Sequence, residues 1–147
     1  MSRDFNKNKV AVLTGAAKKI GRSTAIKLAE QGFNILIHTG GKSIEEAKDT
    51  IKLLEKFKIK SNYVTGDLAN LETINIIKDA ALKLGTPSVL VNNAGLRIHE
   101  HFEKIDYKDW KKVMTVNVDA SFLCAQALIT YMVKQKWGRV INIGGLS

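Results

Sequence analysis

The feature that most constrains this chain is a repeated alternation. Short continuous apolar runs are separated by stretches with helical periodicity. "VAVLT" (residues 10–14) is apolar throughout rather than at every second position, the pattern of a strand buried on both faces. "FNILIHT", "SNYVTGD" (ending at Asp67), "SVLV" and "GRVINIGG" read as further strands. Between them, "STAIKLAEQG" reads as a helix stopped at Gly32. A second helix starts at Ser43, where "SIEE" sets Glu46 three residues on as a capping box, and Ala47, Ile51 and Leu54 share one face. "NLETINIIKDAALKLG" puts Ile74, Ile77, Ala81 and Leu84 on one face, with Gly85 as its stop. Pro87 precedes the fourth strand, where a missing donor is tolerable. From Asp106 to Lys136 a long helical stretch carries Trp110, Met114, Asn117, Ser121, Cys124 and Leu128 along one face.

Strand and helix in alternation predict an α/β fold with a parallel sheet between two helical layers. Right-handed crossovers favour an open, doubly wound sheet. The expectation is a Rossmann-like, three-layer αβα domain of about five strands, single over residues 1–147. The fifth strand is followed by no helix. Parallel strands are normally covered on both faces, so either a partner covers the bare strand or the sheet is truncated; the expectation is a truncated sheet, a fragment of a longer protein.

Composition excludes little. The net charge is +9, but no run of five or more cations exists and no nucleic-acid motif is visible, so no nucleic-acid partner is expected. No continuous apolar run approaches the roughly 18 residues of a membrane span, so no membrane partner is expected. "MSRDFNKNK" has no apolar signal segment, and Cys124, the single cysteine, has no internal partner. A reduced, cytoplasmic setting is expected.

The first loop, "TGAAKKIG", runs from Thr14 to Gly21 between strand and helix. Ligands in open α/β sheets bind outside the carboxyl ends of the strands. A helix N-terminus offers free amides to a pyrophosphate, and glycine lets the backbone come close. Gly15, Ala16, Ala17, Lys18, Lys19, Ile20 and Gly21 are therefore the candidate cradle, although the spacing is not GxGxxG and a plain turn would use the same glycines. The dinucleotide fingerprint also calls for an acid about 20 residues on, to hold the ribose 2′-hydroxyl of NAD. Between Gln31 and Ile44 there is none. "HTGGKS" supplies Thr39, Lys42 and Ser43 instead. A cation and a hydroxyl suit the extra 2′-phosphate of NADP, which a carboxylate would repel, and Lys18 can approach the same phosphate. The bland reading of each lysine is a solvated charge.

With "NNAG" at Asn92 to Gly95 and "VMTVNVDASF" around Asn117, the chain resembles the short-chain dehydrogenase/reductase family over essentially its whole length. "TGAAKKIG" stands for that family's TGxxxGxG, with Lys19 at the middle glycine. "TGAAK" followed by a second basic residue looks like the pteridine reductase branch. The resemblance implies hydride transfer between NADP(H), preferred over NAD(H), and a small carbonyl or alcohol substrate. Ketoacyl carrier-protein reduction, sugar or steroid oxidation and pteridine reduction stay open. It implies that Gly15 to Gly21 hold the pyrophosphate and that Asp67 and Leu68 meet the adenine. Asn93, with Ala94 and Gly95, would line the ribose region, while Asn92 would brace strand four. Ser88 stands where many members have an aspartate supporting that turn. Asn117 would hold a water that relays protons; the alternative is an asparagine bonding nearby backbone. The long helix is where members pair, implying a homodimer or homotetramer for the full protein.

The family's tyrosine–lysine pair, YxxxK, is expected beyond strand five, hence beyond Ser147. Tyr63, Tyr107 and Tyr131 are not expected to stand in for it. Aligned on "GRVINI", the family's serine falls on Gly145, with Ser147 two residues later as a candidate replacement. The 147 residues alone are expected to turn over little or nothing, and a non-catalytic nucleotide-binding module is the alternative. His99 and His101, flanking Glu100, are expected to be surface or pocket residues with no metal, and Cys124 a core residue.

Overall fold

The computed structural model describes residues 3–145. In chain order the elements are α1 (Arg3–Asn6), β1 (Lys9–Leu13), α2 (Lys19–Glu30), β2 (Asn34–Thr39), α3 (Ile44–Leu54), β3 (Ser61–Thr65), α4 (Leu71–Leu84), β4 (Thr86–Asn92), α5 (Tyr107–Met114), α6 (Ala120–Lys134) and β5 (Arg139–Asn142). All strand pairs are parallel, in the order β3-β2-β1-β4-β5. The chain winds outward from β1 to β3, then returns to place β4 on the other side of β1. That reversal opens a crevice at the carboxyl ends of β1 and β4.

Strand parity divides the core into two layers. Ala11, Leu13, Ile35, Ile37, Val89 and Val91 pack with Ala25 and Ala29 of α2 and Ala47 and Leu54 of α3. Val10, Val12, Leu36 and Leu90 face the opposite way, against Ile74, Ile77 and Ala81 of α4 and Cys124, Leu128 and Met132 of α6. Both faces are covered, which is why these strands lack an alternating pattern. Burying a Leu or Ile side chain fully is worth about 1.5–3 kcal/mol, so these central strands anchor the domain.

Local chemistry sets the helix starts. The Asn70 carboxamide accepts from the Glu72 amide at 3.0 Å, and the Asp106 carboxylate from the Asp109 amide at 2.7 Å. The expected capping box at Ser43 does not form: its side chain makes no capping bond, with backbone at φ −127°, ψ 40°. Glu46 is engaged elsewhere, as described below. β3 ends at Thr65 rather than Asp67, and β4 starts at Thr86, so it includes Pro87.

The expected face of the long helix is corrected. α5 and α6 join through a π-turn, Thr115–Asp119, into one helix over Tyr107–Lys134. A π-turn inserts residues into the ladder and rotates the face that follows. The buried stripe is therefore Ala120, Cys124, Leu128 and Met132, while Trp110 is half exposed and Asn117 is exposed. The apolar character missed by looking for continuous runs is an average: this helix has a stretch of mean hydropathy 1.4, long and apolar enough to cross a membrane. Here its buried stripe is part of the sheet's covering layer. Burial pushes the Cys124 thiol up to about 11, so it packs as a neutral group.

Candidate functional site

Two segments at the carboxyl ends of β1 and β4 are joined by hydrogen bonds. The Thr14 hydroxyl accepts from the amides of Asn93 (3.1 Å) and Ala94 (3.0 Å). The Asn93 carboxamide donates to the carbonyls of Thr14 (3.1 Å) and Gly15 (2.9 Å). Glycine is required on both sides of this junction. Gly15 has φ +60°, and a Cβ there would lie 2.7 Å from the Ala94 Cα. A Cβ on Gly21 would lie 2.5 Å from the Ala16 Cα and 2.8 Å from the Asn93 Nδ2. Only bare backbone allows loop, turn and helix to close this tightly.

Beside this junction lies a cavity of about 690 Å³. Gly15, Lys18, Lys19, Ile20 and Gly21 form one wall, Thr39, Lys42 and Ser43 a second, Asp67 and Leu68 a third, and Asn93, Ala94 and Gly95 a fourth. Ala16 and Ala17 are buried and line no part of it: the Ala16 amide donates to the His38 carbonyl at 3.0 Å, and the Ala17 carbonyl accepts from Arg22 and Thr50. Residues not singled out in the sequence also line it, among them His38, Leu96 and Lys112. Lys112 is carried by the distant helix α5, and only folding brings it here.

The start of α2 points at this cavity without a cap. Lys18 takes the capping position without a side-chain bond to the helix amides, and the first turn has no acid. Its amides keep their capacity for an anion. Lys19 is held in the left-handed region, φ +51°, where a side chain is disfavoured.

The electrostatics contain a carboxylate that lies beyond the acid-free segment between Gln31 and Ile44. Lys18 Nζ donates to Glu46 Oε1 at 3.0 Å. This bond, first among its causes, holds the Glu46 carboxyl below the usual range. Arg22 ties the same helices together, donating to the Thr50 hydroxyl at 2.7 Å and the Glu46 carbonyl at 3.0 Å. His38 is buried with Nε2 2.9 Å from the Gly66 carbonyl and Nδ1 without a partner, and burial lowers its pKa below 6.5.

A second cavity, about 1120 Å³, lies on the other side of the NNAG turn, whose residues line both. Its wall includes Trp110, Asn117, Ser121, Phe122, Asn142 and Gly145. The Asn117 carboxamide accepts from the Leu96 amide at 2.7 Å and donates to the Leu96 carbonyl at 3.0 Å, so the side chain clips the loop after NNAG. Its own carbonyl accepts from the Ser121 hydroxyl at 3.2 Å. Asn92 donates to the Asn142 carboxamide at 2.8 Å and to the Ser121 carbonyl at 3.3 Å, tying β4 to β5 and α6. Ser88 does not support the turn. It sits near the opposite end of β4, donating to the Thr86 carbonyl and accepting from Gln135. Among the described residues, a Cβ on Gly145 would meet nothing within 4 Å. Ser147 lies outside the described residues.

One YxxxK spacing does occur, Tyr107 to Lys111, so spacing alone does not dismiss the tyrosines. Position does: Tyr107 is 74% exposed, Lys111 Nζ lies 5.9 Å from its ring centroid, and neither residue lines either cavity.

Comparison with known proteins agrees with this geometry. Residues 9–147 match the short chain dehydrogenase family. The chain is 34% identical over 142 residues to the 3-oxoacyl-acyl-carrier-protein reductase FabG of Staphylococcus epidermidis, covering 92% of this chain and 56% of that protein. The crystal structure of acetoin dehydrogenase YohF from Salmonella typhimurium superimposes with a TM-score of 0.88 at 36% identity, over 94% of this chain and 55% of that one. A metagenomic short-chain oxidoreductase in complex with NADP superimposes with a TM-score of 0.87 at 26% identity, over 97% of this chain and 64% of that one. The chain belongs to the short chain dehydrogenase family. It spans about half the length of the curated relatives it matches.

Proposed function

We propose that this chain is the cofactor-binding part of an NADP(H)-preferring oxidoreductase acting on a small carbonyl or alcohol. The observation that carries the reading is the lysine-lined cavity at the uncapped start of α2, with no acid at the end of β2. The cradle fits a pyrophosphate: side chains at Gly15 and Gly21 would fill the space between loop and turn. Gly15, Lys18, Lys19, Ile20 and Gly21 would hold the pyrophosphate, with Ala16 and Ala17 shaping the loop from within, and Asp67 and Leu68 the adenine. Lys18, Lys42 and Ser43 would hold the 2′-phosphate, with Thr39 beside them. The bound cofactor would supply or accept a hydride. Asn93 and Asn117 would act by fixing the backbone shared by the two cavities, so that a substrate in the second cavity faces the first.

The Asn117 carboxamide spends one acceptor and one donor on Leu96 and keeps one of each for a water. The relatives' names favour a 3-oxoacyl thioester or a hydroxyketone as substrate over a pteridine, although "TGAAKK" keeps the latter in play. We assign the full protein to the cytoplasm as a homodimer or homotetramer, paired through the exposed apolar face of α6. By itself the chain is inactive: Gly145 offers no hydroxyl at the family's serine position. That same observation favours a second reading, a nucleotide-binding module without chemistry.

Calorimetric titration tests the first reading. NADPH is expected to bind more tightly than NADH, and the reverse order overturns it. Steady turnover by these 147 residues would overturn the inactivity. A reading frame that continues past Ser147 into YxxxK would reject the second reading.

A further inference from the structure

The ion pair between Lys18 and Glu46 joins a loop to a helix start 28 residues away, at the rim of the lysine-lined cavity. Lys18 lines that cavity, where its charge would meet a 2′-phosphate, yet a carboxylate already holds it at 3.0 Å. The backbone that carries Glu46 is held close to the first loop. Its backbone carbonyl accepts from Arg22 at 3.0 Å, and Thr50, one turn on, donates to the Ala17 carbonyl at 2.8 Å. The neighbouring acid, Glu45, is taken by Lys48 at 2.8 Å. An arriving phosphate would therefore meet Lys18 with a competing carboxylate beside it. Both side chains are partly exposed, so the pair itself is weak and its exchange is easy.

We propose that Glu46 sets how strongly this chain holds a 2′-phosphorylated nucleotide, by competing with the phosphate for Lys18. This rests on the reading of the cavity as an NADP site. Glu46 is a specificity-determining residue that no spacing rule finds, because the acid of the dinucleotide fingerprint is sought at the end of β2 and this one is carried on α3.

The test measures 2′-phospho-ADP-ribose and ADP-ribose by calorimetry on the full chain, with Glu46→Gln, Lys18→Ala and the double variant. Glu46→Gln is expected to tighten the phosphorylated ligand about three- to tenfold and leave the other within about twofold. The gain should vanish in the Lys18→Ala background and shrink at high salt. Thermal midpoints confirm that each variant is folded. If Glu46→Gln weakens the phosphorylated ligand, leaves it unchanged, or moves both ligands equally, the proposal is overturned. The wild-type preference reports separately on the NADP reading. A wild-type chain that binds neither ligand overturns that reading and the proposal with it.

Discussion

Every residue of β2 is buried, and its end accepts bonds from the Ala16 and Gly66 amides; every residue of β5 is exposed. The two strands lie in the same parallel sheet, separated by β1 and β4. β2 has α3 on one face and α4 on the other. β5 pairs with β4 alone and shows Val140 and Ile141 to solvent, as α6 shows Phe122 and Val133. The difference separates the two tasks of the site. The cradle side is braced from within by Thr14, Asn93, Arg22 and Thr50, so nucleotide binding can be examined on this chain. The second cavity lies against apolar faces that a further layer would have to cover before a substrate could be held away from water.

Core truncation should split the two sides most widely. Leu36→Ala is expected to remove about 2–5 kcal/mol of stability in urea unfolding, by lost transfer energy and a residual cavity. Ile141→Ala on β5 should remove less, about 1 kcal/mol, because that side chain is already partly in water. Equal losses would break the comparison. Thr14→Val is expected to cost about 1–3 kcal/mol by leaving the Asn93 and Ala94 amides without their acceptor, and to weaken nucleotide binding in the same sample.

Acidity offers a milder probe. The folded pKa of His38 is depressed by burial, so below pH 6.5 the unfolded chain takes up a proton that the folded chain does not. Its stabilising contribution is whole above that pH and is lost as pH falls toward the folded value, by up to about 1.4 kcal/mol per pH unit. Unfolding curves of wild type and His38→Asn should diverge over that window; parallel curves would assign the acid sensitivity elsewhere. Lys19→Gly is expected to stabilise by about 1 kcal/mol in thermal unfolding, since glycine meets φ +51° without strain. The smallest effect is expected at Val133→Lys, within about 0.5 kcal/mol for the isolated chain. Light scattering on the full protein would show whether the same change lowers its oligomeric state.

Much of the fold was legible because its signals are local. Continuous apolar runs encode strands covered on both faces, Gly32 and Gly85 encode helix ends, and Asn70 and Asp106 cap the helices that follow them. The glycine loop and NNAG were legible as turn chemistry after strands. Three things were not. The π-turn shifts the buried face of the long helix, and no period in the sequence announces it. Glu46 matched a capping box in spacing, but Lys18, from another helix, won its carboxylate. Lys112 and His38 reach the cavity because of where α5 and β2 pack, which neighbouring residues do not encode.

By itself, then, the order of residues determined the strand–helix alternation, the parallel sheet and the glycine cradle, because periodicity and backbone freedom act over a few residues. Tertiary structure alone decided which charges share the cavity. The Lys18–Glu46 pair spans 28 residues and the Asn117–Leu96 clip spans 21. Such contacts exist only after helices have packed on the sheet, since side-chain electrostatics depends on distance in space and not on distance along the chain.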